Sequence, residues 1–351
     1  MKVIKNLNLF RKKPHLPVAV ALGNFDGAHL GHQAIFKVVK EKAKSFRGIS
    51  GVLTFESHPQ HILGQKQGPL VLTSFFHKLF LLEKAGIDSC FLIDFSKEFS
   101  EKTADVFVKD ILVDGIGAKA VSMGANARFG RGRTGDSELM KKLAKAHSFD
   151  FEETHSVEVN GQMISSSLIR GLIHDGKFED AKQMLGRPYS FYGVVVTGSG
   201  RGAKIGFPTA NLNPQNEILP PLGVYAVSVN VIGNKISEND LGFDFSREVV
   251  CERLPAVMNY GRRPTFQGNE EQPVIEVHLL DFNKDLAGKT LEIEICGKIR
   301  EEKRFPDGKA LANQIEKDIL EARNVLSISS LKMDVNDKIK DSQVHSALQF
   351  S

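Results

Sequence analysis

The chain has 351 residues, of which 41% are hydrophobic and 25% charged, and its formal net charge is +4. This length predicts two folded domains at about 100–200 residues per domain, each large enough for its own core. The small positive charge suits an anionic ligand but is too mild to indicate a nucleic-acid-binding protein. The three cysteines, Cys90, Cys251 and Cys296, are too widely scattered to suggest a disulfide framework or a zinc site.

The sequence carries no targeting or membrane signal that we can identify. The first residues, MKVIKNLNLFRKKPHLP, lack the apolar run of a signal peptide. No apolar stretch approaches the roughly 18 residues that a membrane-spanning helix needs. We therefore expect a cytoplasmic protein without membrane or nucleic-acid partners, and the oligomeric state stays open between a monomer and a weak homo-oligomer.

In the first half, short apolar strands alternate with helical patterns. Strands are predicted at residues 16–22, 51–55, 89–93 and 120–123, and helices at residues 31–46, 74–85, 103–112 and 137–146. This alternation predicts an α/β domain with a doubly wound, Rossmann-like parallel sheet. Such sheets bind ligands at the carboxyl ends of their strands.

The pattern changes after residue 186. Strands with period-2 alternation are predicted at residues 191–197, 223–231, 256–260, 274–282 and 290–299, followed by a helix at 311–325. They predict a small antiparallel β-barrel with a C-terminal helix. We place the domains at residues 1–186 and 187–326 and expect a flexible tail at 327–351. The stretch from 233 to 254 is expected to be a loop beside the ligand pocket of the barrel.

Between the first strand and the first helix, residues 23–32 read GNFDGAHLGH. Glycines and a helix N-terminus at this position form a binding site for phosphate. The candidate phosphate-binding residues are Gly23, Asn24, Phe25, Asp26 and Gly27. His29 and His32 are three residues apart and lie on one side of the helix start, where they could stabilise charge at a phosphorus atom. The alternative is a simple turn whose histidines bond locally.

Two later segments are candidates for the same site. Residues 124–130 read GANARFG and supply Asn126 and Arg128, whereas residues 164–170 read ISSSLIR and supply Ser165, Ser166 and Arg170. Serine hydroxyls at a helix start can bind phosphate or merely cap the helix. Residues 130–135 also match GxGxxG, but they do not follow the first strand, which argues against a dinucleotide site.

These segments resemble the HxGH nucleotidyltransferase superfamily, and within it the adenylyltransferase module of the bacterial bifunctional riboflavin kinase/FMN adenylyltransferase family. The resemblance implies transfer of AMP from ATP to FMN, which yields FAD and pyrophosphate. Two positions depart from the family pattern, Ser57 in TFESHP and Ala127 in GANARFG. An adenylyl transfer of this kind needs no general base, since the FMN phosphate is already an anionic nucleophile.

A second glycine-rich segment, residues 198–212, reads GSGRGAKIGFPTANL. It lacks the order of a Walker loop but has glycine backbone and two cations for phosphate, with Thr209 and Asn211 as oxygen ligands for Mg²⁺. The candidate ATP- and flavin-binding residues are Gly198, Gly200, Arg201, Lys204, Gly206, Phe207, Pro208 and, from residues 258–266 (MNYGRRPTF), Asn259. In residues 274–282 (VIEVHLLDF), alternation places Glu276 and His278 on one face.

This second set of motifs resembles the riboflavin kinase module of the same family. The resemblance implies that Glu276 is the base for the riboflavin 5′-hydroxyl and that both reactions require Mg²⁺. Without Thr209 and Asn211 in the neighbouring motif, a glutamate at the rim that faces water would be preferred. ATP, riboflavin and FMN are the expected small-molecule partners. One alternative is a flavokinase whose first module is inactive, and another is an RNA-binding regulator, suggested by Arg128, Arg131, Arg133, Arg262 and Arg263. The chain lacks the aromatic stacking motifs that the latter needs.

Overall fold

The computed structural model describes residues 1–56, 71–198, 202, 206–215, 218–262 and 273–347, with side chains as far as 327. The chain forms two compact units. The first contains Met1–Arg187, Asn216–Ile218 and Asn234–Glu248, and the second contains Pro188–Gln215, Leu219–Gly233 and Val249–Ser351. Within the described ranges, no helix is both long and apolar enough to cross a bilayer.

The first unit alternates strands and helices along the chain. Its strands are β1 (Lys2–Ile4), β2 (Val18–Leu22), β3 (Ile49–Phe55), β4 (Ser89–Ile93), β5 (Ala118–Gly124), β6 (Asp150–Thr154), β7 (Glu158–Val159) and β8 (Gln162–Met163). Its helices are α1 (Leu7–Lys12), α2 (Leu30–Ser45), α3 (Phe75–Lys84), α4 (Lys97–Ser100), α5 (Ala104–Phe107, continued by the π-helix Val108–Ile116), α6 (Ser137–His147), α7 (Ser166–His174) and α8 (Phe178–Leu185).

The main sheet of this unit is parallel and covered on both faces. Its strands lie in the order β1-β4-β3-β2-β5-β6, and all of these neighbours are parallel. Val18, Val20 and Leu22 of β2 pack on one side with residues of α5 and α6. Ala19 and Ala21 pack on the other with residues of α2 and α3. The predicted doubly wound sheet is therefore confirmed, and the chain reverses direction across the sheet between β2 and β5, where such folds bind ligands.

Residues 233–254, which we expected to form a loop beside the barrel pocket, are instead part of a long hairpin. That expectation was wrong. Strand β11 (Gly223–Asn239) leads into β12 (Gly242–Arg262). Residues Gly242–Asp244 pair antiparallel with Lys2–Ile4 and extend the sheet of the first unit. The reason is the alternation in GFDFS: Phe243 and Phe245 are buried in the core of the first unit, whereas the polar residues between and after them are exposed.

The second unit is an antiparallel barrel, as predicted. It contains β9 (Ser190–Val196), β10 (Ala210–Pro214), the remaining parts of β11 and β12, β13 (Pro273–Leu279) and β14 (Thr290–Arg300). The order is β11-β14-β9-β10-β13-β12, and pairing of β11 with β12 closes the barrel. Strand β10 overlaps the end of the glycine-rich segment. Because this segment is rich in turn-forming residues, its sequence pattern did not predict a strand.

Helix α9 (Gly308–Ala347) follows the barrel and packs against it. Ala322 is fully buried beside Val224 and Ala226, and Arg300 pairs with the buried Asp318 at 2.7 Å. The helical backbone continues past residue 327, where the sequence predicts a tail. The flexibility of that tail stays a prediction.

Candidate active sites

The loop between β2 and α2 is locked by its own backbone geometry. Gly27 has a φ of +80°, its amide donates to Thr73 Oγ1 at 3.2 Å, and a Cβ at this position would lie 2.7 Å from Leu72 Cδ1. A side chain on residue 27 would be both strained and sterically blocked. Phe25, at the centre of the loop, is 1% exposed and packs on Phe36, so it supports the loop from the core.

Asp26 joins three parts of the first unit. Its buried carboxylate accepts hydrogen bonds from the amides of Leu72 and Thr73 at 2.9 and 3.1 Å and from Arg170 Nη1 at 3.0 Å. Ser166 Oγ donates to the Asp26 carbonyl at 3.0 Å. The structure thus brings together three residues predicted to bind phosphate: Asp26, Ser166 and Arg170. The charge of Arg170 is paired with that of Asp26 rather than facing open space. Their common effect is to hold the start of α7 against the loop.

His29 and His32 stack on each other at the start of α2. Their ring centroids are 3.6 Å apart, and His29 Nδ1 accepts the His32 amide at 3.4 Å as an N-cap. Burial lowers the pKa of His29 to about 4, assisted by the charge of Arg187. Burial lowers the pKa of His32 well below its ordinary value, with further contributions from His29 and Lys78. Both rings are therefore neutral at pH 7, and His29 carries its proton on Nε2, where it can donate to a ligand.

The other predicted residues of the first site make backbone contacts or contacts with residues that lie nearby in the structure. The Gly23 amide donates to Leu53 O at 3.2 Å, and Thr54 Oγ1 donates to Asn24 O at 3.1 Å. Because β5 lies beside β2, the loop that carries Asn126 and Arg128 follows the neighbouring strand end. Asn126 Nδ2 contacts Met163 Sδ at 3.6 Å, Arg128 Nη1 donates to Ala127 O at 2.9 Å, and Ser165 Oγ caps α7 by accepting the Leu168 amide.

Two cations near the histidines were not predicted from the sequence. The sequence marks Arg187 only as part of a domain boundary, yet its charge lowers the pKa of His29. Lys78 is 6% exposed and its Nζ donates to Phe55 O at 2.7 Å, at the carboxyl end of β3. The available signal was a lysine among the apolar residues of FFHKLFLL, since a buried lysine is rare in a helix of this kind.

In the second unit, strand register assembles the candidate kinase site. Glu276 of β13 lies directly opposite Asn211 of β10 on one side and Asn259 of β12 on the other. Directly paired residues of antiparallel strands project from the same face. Ile275 and Val277 are buried, whereas Glu276 is half-buried. The three polar residues therefore share the face opposite to Ile275 and Val277, where Asn211 is itself buried.

The segment before β10 is held over the same face. His278 Nδ1 donates to Pro208 O at 2.7 Å, and the Phe207 and His278 rings meet edge to face at 5.8 Å. The Phe207 amide donates to Gly202 O at 2.9 Å, and Gly206 is exposed. Five positions singled out from the sequence lie outside the described residues: Ser57, Gly200, Arg201, Lys204 and Arg263.

Thr209 and Asn211 fit a hard divalent cation. A Cβ on Gly198 would overlap the Asn211 amide, and a Cβ on Gly202 would lie 3.1 Å from Thr209 Oγ1. The backbone at both glycines therefore packs closely against these oxygen-bearing side chains, where a larger residue would not fit. Among the residues that the structure describes, no group of three His, Cys, Asp or Glu side chains could hold a metal. Thr209 and Asn211 would offer a cation neutral oxygen atoms, which add to those of the ATP phosphates.

Comparison with known proteins decides the family. The FAD synthetase family model matches residues 11–168 and the riboflavin kinase model matches residues 185–326. The bifunctional riboflavin kinase/FMN adenylyltransferase of Haemophilus influenzae is 35% identical over 305 residues, which are 87% of this chain and 93% of that protein. The present chain belongs to the bifunctional riboflavin kinase/FMN adenylyltransferase family.

Other relatives agree with this placement in the family. The Escherichia coli K12 enzyme of the same name is 34% identical over 329 residues, covering 94% of this chain and 99% of that one. A crystal structure titled macrolide-efflux protein from Streptococcus pneumoniae superposes with a TM-score of 0.73 at 29% identity. It covers 92% of this chain and 98% of that chain. The predicted family, fold class and enzymatic nature are thereby confirmed.

Proposed function

We propose that this chain converts riboflavin to FMN in its second domain, residues 187–326, and FMN to FAD in its first domain, residues 1–186, using ATP in both steps. The observation that carries the proposal is the presence of two separate constellations in one chain. The neutral His29–His32 pair lies at the ligand-binding edge of the first sheet, and Glu276 lies in register between Asn211 and Asn259 on the barrel.

In the first domain, the FMN phosphate attacks the α-phosphorus of ATP. A new phosphorus–oxygen bond forms as the bond to pyrophosphate breaks, so the protein need only position the reactants and stabilise charge. His29 Nε2 donates to a phosphate oxygen, and the amides at the start of α2 offer further donors. The Asp26–Arg170 pair keeps these donors in place by fixing the loop against α7.

In the second domain, Glu276 accepts the proton of the riboflavin 5′-hydroxyl as the hydroxyl oxygen attacks the γ-phosphorus of ATP. The bond between the γ-phosphorus and ADP breaks, and ADP leaves. Thr209 and Asn211 would hold Mg²⁺, which would neutralise phosphate charge. Asn259 orients Glu276 or the substrate from the adjacent strand. His278 fixes the preceding segment through Pro208, and the absence of a side chain at Gly198 lets the Asn211 amide pack against the backbone.

The metal, the cellular compartment, the oligomeric state and the substrates complete the proposed function. We propose Mg²⁺ as the metal and the cytoplasm as the compartment, consistent with the scattered cysteines. A weak homo-oligomer stays a prediction, and the proposed partners are ATP, riboflavin and FMN.

The direct test is a chromatographic product assay. Purified protein is incubated with riboflavin, ATP and Mg²⁺, and separately with FMN, ATP and Mg²⁺. We expect FMN and then FAD from the first mixture and FAD from the second. FMN without FAD would contradict the function proposed for the first domain, and FAD only from supplied FMN would contradict that of the second.

A further inference from the structure

Helix α3 carries a lysine whose charged end lies inside the first unit. Lys78 is 6% exposed and is followed by the fully buried Leu79. Its Nζ donates to the carbonyl of Phe55, the last residue of β3, at 2.7 Å. Since β3 is the parallel neighbour of β2, this ammonium lies at the same sheet edge as the histidine loop.

The charge of Lys78 is not neutralised by an ion pair with any residue that the structure describes. The carboxylates that favour its charged form include Asp26 and Glu56. Asp26 pairs with Arg170 at 3.0 Å, and Glu56 lies 3.6 Å from Lys5. Burial dominates, and it lowers the pKa of Lys78. A buried charge of this kind is costly unless an anion compensates it.

The hydrogen bonds of Lys78 also indicate that its ammonium could bind an anion. An ammonium group has three donors. The only hydrogen bond of Lys78 to a described residue is the one to Phe55 O, which leaves two donors for a ligand or water. The neighbouring His32 Nδ1 is also buried without a hydrogen-bond partner among those residues.

Lys78 also acts on the histidine pair. Its charge contributes to the low pKa of His32, which in turn stacks on His29 at 3.6 Å. The ammonium therefore disfavours protonation of His32 while adding positive potential at the place where phosphate is expected. When Lys78 is protonated, neutral rings beside its ammonium can donate without the mutual repulsion of two imidazolium ions.

We propose that Lys78 is a positioning residue of the adenylyltransferase site, whose buried ammonium draws the polyphosphate of ATP toward the His29–His32 pair. This proposal rests on the assignment of adenylyl transfer to the first domain. Lys78 forms no new bond in the reaction; it acts through the electric field and through the protonation state of His32.

The test compares Lys78→Met with Lys78→Arg and with Lys84→Met as the matched control. Lys84 lies on the same helix with its side chain exposed, so its substitution removes the same charge from the surface. In Lys78→Met we expect the KM for ATP in FAD synthesis to rise about tenfold with a smaller change in kcat. Lys78→Arg restores most of the ATP affinity, and Lys84→Met matches wild type.

A second readout separates an electrostatic role from a structural one. Nuclear magnetic resonance of the imidazoles should show a higher pKa for His32 in Lys78→Met than in wild type. Should Lys78→Met fail to fold, Lys78→Gln replaces it, and ATP affinity is expected to be lower in the glutamine variant than in Lys78→Arg. Equal ATP affinity in charged and neutral variants, or an unchanged His32 pKa, overturns the proposal.

The wild-type protein serves as the reference for the proposed function. If wild type forms no FAD from FMN, the assignment of the first domain fails and the role of Lys78 fails with it. If wild type forms FAD and folded Lys78→Met has the same KM for ATP, only the role of Lys78 is overturned.

Discussion

His29 shows how burial sets the chemistry of one residue. The sequence HxGH predicts two imidazoles near phosphate, but it does not reveal their charge. The structure buries the His29 ring at the start of α2 and lowers its pKa to about 4. Burial therefore favours two neutral rings, and the positive charges that act on them belong to Arg187 and Lys78.

This pKa predicts a specific pH dependence of stability. Unfolded His29 binds a proton below about pH 6.5, whereas the folded ring stays neutral down to about pH 4. Protons therefore favour the unfolded state in this window, and stability is lost as the pH falls from 6.5 to 4. The contribution of His29 is about 3 kcal/mol over that range.

Denaturant unfolding of wild type and His29→Asn checks this prediction. Asparagine keeps a side-chain acceptor at the N-cap of α2 but does not titrate. We expect the free energy of unfolding to fall less between pH 7 and pH 4 in the variant than in wild type. The same loss in both proteins would show that His29 is not responsible.

At the scale of elements, the hairpin of β11 and β12 is the least expected feature. Its residues Asn234–Glu248 belong to the first unit, where β12 pairs with β1. Phe245 is 1% exposed, and its amide and carbonyl bond to the carbonyl and amino group of Met1 at 2.9 Å each. Arg247 stacks on Phe80 with its guanidinium carbon 3.6 Å from the ring centroid. The segment therefore contributes core and edge to the first unit.

Removal of the Phe245 ring should destabilise the first unit. We expect Phe245→Ala to lower its free energy of unfolding by about 3–5 kcal/mol, because the ring leaves a cavity in a packed core. Ile236→Ala is the control, since Ile236 lies in the same segment and is 45% exposed. Denaturant unfolding measures the difference, and equal stability of the two variants would refute a core role for this hairpin.

The sequence predicted the elements with strong periodicity and missed those formed by pairing. Strand β4 agrees with its prediction at both ends, since SCFLI is buried throughout. Strand β1 is only Lys2–Ile4 and is stabilised by partners that are remote in sequence. The pairing of Asn211 with Glu276 likewise depends on register, which a linear pattern of residues does not specify.

At the scale of the whole molecule, the two candidate sites are built by different principles. The first uses a parallel sheet, whose strand ends meet at one edge and leave a helix N-terminus for phosphate. The second uses the side-by-side register of antiparallel strands on a barrel face. Each candidate site combines several short motifs, and each motif is continuous in sequence. Lys78 was missed because it lies on a separate helix, outside those motifs, and reaches the end of β3 only in the fold.

Reciprocal variants test whether two independent sites act in succession. Chromatography would follow the products of His29→Asn and Glu276→Gln, each supplied with riboflavin or with FMN. We expect His29→Asn to form FMN normally and FAD about 10²–10³-fold more slowly, and Glu276→Gln to form FAD from FMN normally and FMN about 10²–10⁴-fold more slowly. If either folded variant loses both activities, or keeps both, the two sites are not independent as proposed.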